Sequence, residues 1–358
     1  MDYKNIINEQ LEAMNLEALE ELMGIGGDIG LSYFSVSEII SRMASGQPLF
    51  EIKEVINALI NFFIKEISSS ITLGIQIIAI CIIMALLLHL SSAFGKSAVS
   101  KIGAMVCSCT VIALCLLNFI EIYKICGETI DNMALLMQVL LPILFPLLIA
   151  MGGFTSGGIL NPLILAAVTF FTTIIQKIIL PLIFFSCVFV LGNSFAERDY
   201  IKKLAALFRD VAVFAMGLSV TIFSGLTIIQ GLVTESADGM LVKTARYSVD
   251  NLVPIIGGFA ADSIDMVLSC TEIIKNSVGI FGLIVLISII AVPLIKLLAI
   301  ALIYKVTAAL VEPIGNKIIS DCLNELGNTV IILAVIVFLG ALLFIIFVSV
   351  LISIGTSL

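Results

Sequence analysis

Charged residues are scarce in this 358-residue sequence, since only 12% are Asp, Glu, Lys or Arg and 60% are hydrophobic. A water-soluble domain needs about a quarter of its residues charged to cover its surface, so the composition excludes an ordinary soluble protein. The mean hydropathy of +1.21 indicates a polytopic membrane protein whose main partner is the lipid bilayer. Nothing is basic enough to indicate nucleic acid as a partner.

Histidine is nearly absent as well. His89 is the only one and ends an apolar run, which favours an interfacial position over a metal site. The eight cysteines lack the paired C-x2-C spacing of zinc sites, and most lie in apolar runs, where packing is the expected role. The sequence contains no nucleophile elbow and no HExxH motif. We therefore predict no enzyme activity, no metal and no cofactor.

The negative charge is concentrated at the start of the chain. Residues 1–66 hold 11 acidic and 4 basic residues, which is seven of the eight net negative charges. Ile7, Leu11, Met14 and Leu19 recur at helical intervals between glutamates. We predict a small, acidic, helical soluble head over 1–66, without the pattern of a signal peptide.

Long stretches without any charged residue predict the membrane spans, because a spanning helix needs about 20 apolar residues. The fold class we predict is an all-α transmembrane bundle of about eight spans, or ten if the long segments split. The uncharged stretches are 67–95, 102–120, 132–176, 178–196, 211–234, 276–295 and 326–358. The predicted divisions after the head are 67–131 (the first two spans), 132–250 (one half, with a cytoplasmic amphipathic helix) and 251–358 (a second half).

The two halves show a weak internal similarity. Pro142 and Pro181 are 39 residues apart, as are Pro254 and Pro293, and a glycine pair follows the first proline of each set. An internal repeat, common in transporters, and chance spacing are both open.

The basic residues predict the orientation. One loop carries Lys96 and Lys101, and a later segment carries Arg198, Lys202, Lys203 and Arg209. The positive-inside rule places both on the cytoplasmic side, which requires an even number of crossings between them. Four predicted crossings satisfy this and leave the head outside: 102–120, 133–151, 160–176 and 178–193. The later segment reads as an interfacial amphipathic helix in contact with headgroups, with docking to a cytoplasmic partner as the alternative.

Two aspartates lie in an otherwise apolar segment, 251–270. Asp262 and Asp265 are three residues apart, so they share one helical face, and each would cost about 2.5–3.5 kcal/mol at mid-bilayer. They therefore line an aqueous path or cation site, or else lie in water on a surface helix. Pro254, Gly257 and Gly258 would loosen the start of this helix.

A glycine-rich segment, 151–162, interrupts the longest uncharged stretch. It contains Gly152, Gly153, Gly157, Gly158 and Asn161. It predicts either a broken helix that lines a pore, where irregular backbone is tolerated at membrane depth, or an ordinary short turn.

The segment "DGMLVKTARYSVDNLVPIIGG" resembles the stage III sporulation protein AE family of endospore-forming bacteria. "LLIAMGGFTS", Lys275-Asn276 before "VGIFG", and "LIYKVTAALVEPIG" resemble other family landmarks. The likeness runs from about residue 50 to the C-terminus. The matching positions of the first segment are Asp238, Gly239, Lys243, Thr244, Ala245, Arg246, Asn251, Pro254 and Gly257.

This resemblance implies a role that composition alone does not give. It implies a multi-pass protein of the mother-cell membrane around the forespore, within a channel-like secretion or feeding apparatus that acts around engulfment. The implied partners are ring-forming proteins and an ATPase of the same operon, and stage II sporulation protein Q. A conduit formed by several copies of this chain is also open. A channel or permease subunit, a non-conducting platform for the rings, and an autonomous transporter are the functions open at this point. Family members usually begin with a signal peptide, which this sequence does not show.

Overall fold

The computed structural model is all-helical over the residues it describes. Seven α-helices, a π-helical turn and a short 3-10 turn make up this part of the chain, which contains no strand. The described backbone covers 52–94, 97–151, 160–193, 201–252, 257–314 and 317–353, and the described side chains cover 53, 55–89, 102–151, 165–193, 201–229, 269–314 and 317–353. Of the predicted head, 1–66, residues 1–51 lie outside this part of the chain.

The helices are long, and a helix satisfies its backbone polar groups internally, as the hydrocarbon of a bilayer requires. They are α1 Ile52–Phe94, α2 Ser97–Ala150, α3 Leu160–Ile174, a π-helical turn Ile175–Ile179, α4 Leu180–Asn193, α5 Lys202–Leu252, α6 Gly257–Val311, a 3-10 turn Glu312–Ile314, and α7 Lys317–Ser353.

Six helical segments of the described chain are long and apolar enough to cross a membrane, whereas the sequence predicts about eight. They are Val55–His89, Ile102–Ala150, Leu165–Asn193, Lys202–Ile229, Ser269–Ile314 and Lys317–Ser353. The all-α membrane class is confirmed. The difference in number arises where a charged residue separates two apolar stretches without ending the helix.

The predicted crossings 102–120 and 133–151 both belong to α2, and the helix continues through Pro142 and Pro146. The four charged residues between them are spaced so that they share one exposed face of the helix. A helix can carry such a face without breaking. The predicted division at 131/132 therefore falls inside α2, and that at 250/251 falls in the last turn of α5.

The predicted crossings 160–176 and 178–193 also form one continuous helix. A π-helical turn that contains Lys177 joins α3 to α4, so the helix continues through this charged residue without reversing. Only α2 and the α3–α4 helix separate the two basic segments. An even number of helices, two instead of the predicted four, therefore separates the two basic segments. The positive-inside rule can still place both segments on the same side.

Helix α7 is central, since it packs against α6, α5, α4 and α2, while α6 also packs against α1 and α2. Contacts between side chains fix how the helices align. The Tyr304 hydroxyl of α6 bonds Asn118 of α2 at 2.8 Å, and a Cβ on Gly282 would lie 2.8 Å from Leu140. Helices α2 and α6 are therefore antiparallel.

Three helix pairs turn at the same end of the bundle. Ser320 of α7 donates to the Ala308 carbonyl of α6 at 2.9 Å, and Ser186 of α4 donates to the Ala205 carbonyl of α5 at 2.7 Å. Arg209, close to the start of α5, reaches Glu325, close to the start of α7. Helices α2, α5 and α7 thus begin at this end, and α1, α4 and α6 end there.

Candidate polar sites in the membrane bundle

Most of the residues predicted to line a path lie outside the described part. Asp262, Asp265 and Asn161 belong to helices, as do Gly257 and Gly258 at the start of α6, but their side chains are not described. The backbone of Pro254, Gly152, Gly153, Gly157 and Gly158 is not described either. Their role in a path stays a prediction.

The basic segment at the start of α5 divides into two parts. Lys202, Lys203 and Leu207 are exposed, as an interfacial helix requires. Phe208 turns inward, with its ring 5.5 Å from that of Phe189 in α4. Arg209 is partly buried and pairs with a carboxylate of α7, so it takes part in the packing of α5 on α7. Arg198 lies outside the described residues.

A cluster of polar side chains lies where α5, α6 and α7 meet, and we call it the interior cluster. Arg209 Nη1 and Glu325 Oε2 are 2.7 Å apart, and their side chains are 25% and 30% exposed. Lys305 Nζ donates to Asn328 Oδ1 at 2.7 Å and lies 3.5 Å from Asn324 Oδ1. Ionisable groups joined across three helices of an apolar bundle are costly to place and often functional.

Tyr304 connects the interior cluster to α2. It is adjacent to Lys305 on α6, is fully buried, and donates its hydroxyl proton to Asn118 Oδ1. Burial of this phenol requires such an acceptor, because an unpaired hydroxyl in an apolar interior costs free energy. A hydrogen bond beside the cluster therefore joins α6 to α2.

A second polar region lies on the outside of the bundle. Glu121, Lys124, Glu128 and Asp131 form an exposed face of α2 that we call the α2 charged stripe. Lys296 of α6 pairs with Glu121 at 3.1 Å, where Glu121 is 61% exposed, and Gln176 of the π-helical turn donates to Asp131. Among the described residues, Lys124 and Glu128 have no hydrogen-bond or ion-pair partner.

A third polar group is a buried lysine near the opposite end. Lys275 of α6 has no exposed surface, and its Nζ donates to the carbonyl of Ile352 at 2.7 Å. Ile352 lies in the last turn of α7, where carbonyls lack partners within their own helix and are often bonded by a basic side chain. Lys275 therefore joins α6 to the end of α7.

The cysteines do not form a site in the described residues, where all eight of them lie. Six are buried, Cys107 is half-buried, Cys109 is exposed, and none is joined in a disulfide. No group of His, Cys, Asp and Glu in the described ranges is arranged to hold a metal ion.

Comparison with known proteins assigns the chain to a family. The family model described as stage III sporulation protein AE matches residues 34–355. This chain belongs to the stage III sporulation protein AE family. Stage III sporulation protein AE of Bacillus subtilis (strain 168) is 32% identical over 316 residues, which cover 88% of this chain and 79% of that protein. No solved structure matches the chain. Membership in this family makes it a sporulation-related membrane component, with the polar sites described above as its candidate functional groups.

Proposed function

We propose that this chain is a non-enzymatic channel or permease subunit of a transport complex between mother cell and forespore, needed for forespore development. The observation that carries the proposal is the interior cluster. Arg209, Lys305 and Glu325 place three partly buried ionisable groups, with two asparagines, where three helices of an apolar bundle meet. Such groups are expensive in a membrane interior and commonly mark the pathways of solutes and ions.

Family membership and chain direction support the proposal further. The related protein of Bacillus subtilis is a stage III sporulation protein. With the basic helix ends on the cytoplasmic side, the start of α1 lies at the opposite face. The head would then be extracytoplasmic, within reach of ring-forming proteins and stage II sporulation protein Q. An ATPase partner and the mother-cell membrane location belong to the same proposal.

The sequence-predicted aspartates extend the path in this proposal. Asp262 and Asp265 precede Lys275 on α6, beyond the end at which α7 closes against that lysine. Their carboxylates, with the 152–158 glycines of the connection between α2 and α3, would line or gate the entrance.

A non-conducting platform for the rings is the second candidate. The observation that favours it is the exposed apolar surface of α1, on which Ile56, Ile60, Ile64, Ile71 and Ile75 are each about half exposed. A platform presents such surfaces to lipid or partners and needs no internal path.

Replacing Asp262 and Asp265 together with asparagine separates the two functions. The expected result is loss of late forespore gene expression, measured with a forespore reporter in the spore-forming host, because the path loses its carboxylates. The amount of chain in the membrane and its co-purification with partner proteins should stay unchanged.

Asp321→Asn is the matched control, since Asp321 is an exposed carboxylate at the start of α7. It should leave the reporter at its original level. Normal reporter activity in the double aspartate variant would contradict a role of these residues in the path and favour the platform.

A further inference from the structure

The interior cluster carries more positive than negative charge. It contains two cations, Arg209 and Lys305, and one carboxylate, Glu325. Glu325 Oε2 pairs with Arg209 Nη1 at 2.7 Å, and Lys305 forms no ion pair with any residue of the described chain. A partly buried charge is costly unless an opposite charge or several hydrogen bonds compensate it. The protein therefore leaves one positive charge of the cluster without a counter-charge.

Other carboxylates of the chain do not supply this counter-charge. Asp210 of α5 and Asp321 of α7 lie at the same end of the bundle, but both are exposed and neither pairs with Lys305. Asp262 and Asp265 precede Lys305 on α6 by 43 and 40 residues, which places them at the opposite end of the bundle. Solvent ions screen a charge beyond about 8 Å. An anion from outside the chain can therefore approach Lys305 without opposition from these aspartates.

Two asparagines of α7 add hydrogen-bond donors at the same place. Lys305 Nζ is 2.7 Å from Asn328 Oδ1 and 3.5 Å from Asn324 Oδ1. An ammonium has donors only, so both amides turn their oxygen toward it, and each amide nitrogen lies on the same carbon as that oxygen. Within the described ranges neither NH2 group donates to a protein acceptor. The surroundings of Lys305 are thus rich in free donors.

Close packing holds Lys305 in this position. A Cβ on Gly327 would lie 3.0 Å from Lys305 Cγ, so the missing side chain at Gly327 leaves room for the stem of the lysine. The adjacent Tyr304 is fully buried and bonded to Asn118, which fixes the turn of α6 that carries Lys305. Asn324 is exposed and Lys305 is partly exposed. The amine is therefore preorganised, which lowers the entropy cost of binding, and it can be reached from outside the bundle.

We propose that the interior cluster binds an anionic oxygen group, a phosphate or a carboxylate, at Lys305, Asn324 and Asn328. Charge-assisted hydrogen bonds from an ammonium to such groups are stronger than neutral ones, and the anion supplies the counter-charge that the protein lacks. The group belongs to a soluble ion or to the headgroup of an anionic phospholipid. The inference rests on the proposed function only where it identifies the bound anion with the transported solute.

Acetylation of lysines by a water-soluble N-hydroxysuccinimide ester tests the site in the unsubstituted full chain, purified in neutral detergent. Mass spectrometry measures the rate of modification at each lysine. We expect inorganic phosphate or succinate to slow the modification of Lys305 several-fold relative to chloride at equal ionic strength, because a bound anion covers the amine. Lys203 and Lys317 are exposed and are the internal controls, whose rates should not change.

A second arm distinguishes a headgroup from a soluble anion. Without phosphate or succinate, the chain is compared in nanodiscs of phosphatidylcholine and in nanodiscs that also contain phosphatidylglycerol. Slowing of Lys305 by phosphatidylglycerol alone identifies a headgroup, and slowing by the soluble ions in detergent identifies a soluble anion. An unchanged rate at Lys305 in both arms, or equal slowing of Lys203 and Lys317, would overturn the site.

Two substitutions with opposite expected effects separate anion binding from packing. Glu325→Gln removes the only negative charge of the cluster, so phosphate should protect Lys305 at a lower concentration. Asn328→Asp places a carboxylate against Lys305, so phosphate should no longer protect it. Effects in the same direction would overturn the site. A normal forespore reporter in the double aspartate variant would leave protection of Lys305 in place, so failure of the path and failure of the anion site are distinguishable.

Discussion

Replacing Tyr304 with alanine should lower the free energy of unfolding of the bundle by about 3–5 kcal/mol, the cost of deleting a large buried aromatic side chain. Tyr304 has no exposed surface and lies between α2 and α7, where a cavity would remain. The loss of its hydroxyl also removes the partner of Asn118. Reversible unfolding in detergent micelles, followed by circular dichroism, measures the change.

Tyr304→Phe is the matched control, because it keeps the ring and removes only the hydrogen bond. It should cost about 1 kcal/mol. If phenylalanine is as harmful as alanine, the hydrogen bond rather than the packing dominates at this position. If Tyr304→Ala lowers the free energy of unfolding by less than about 1 kcal/mol, the value expected for Tyr304→Phe, then Tyr304 is not packed as tightly as the structure indicates.

Replacing Gly327 with leucine should lower the free energy of unfolding by about 2–3 kcal/mol, the upper part of the usual range for overpacking. A Cβ at this position would lie 3.0 Å from Lys305 Cγ and 3.4 Å from the backbone oxygen of Ala301. The backbone oxygen cannot move aside as a side chain can. Small residues at such positions let membrane helices approach closely, and here that approach brings Lys305 to Asn328.

Gly217→Leu is the control for the glycine substitution. Gly217 lies in α5 with nothing within 4 Å of an added Cβ, so leucine there should be neutral or slightly stabilising, because glycine is a poor helix former. The same unfolding measurement applies. Equal effects of the two substitutions would contradict a close contact of α6 and α7 at Gly327.

The class of fold could be predicted from the sequence, because scarce charge and long apolar stretches leave few alternatives. The ends of the spans could not. The charged residues between 102–120 and 133–151 predict a connection between two spans, but Glu121, Lys124, Glu128 and Asp131 lie on a single face of α2. Their spacing of three and four residues was the available signal that the helix continues.

The interior cluster could not be predicted from the sequence for a different reason. The spacing of Asn324, Glu325 and Asn328 does indicate a shared polar side at the start of α7. Arg209, however, is 116 residues away from Glu325, and only the packing of α5 on α7 brings them together. The sequence groups Arg209 with Lys202 and Lys203, since one basic segment contains all three.

Transfer of a small fluorescent solute from mother cell to forespore tests most directly whether the interior cluster serves passage. The decisive variant carries Arg209→Gln with Glu325→Gln, which removes both charges and keeps amide hydrogen bonding. Glu121→Gln with Lys296→Gln makes the same change in the exposed pair and is the control. We predict that transfer falls to that of cells lacking the chain in the first variant only, with chain abundance and partner binding unchanged. Undiminished transfer in the Arg209, Glu325 variant would contradict a conducting role for the cluster.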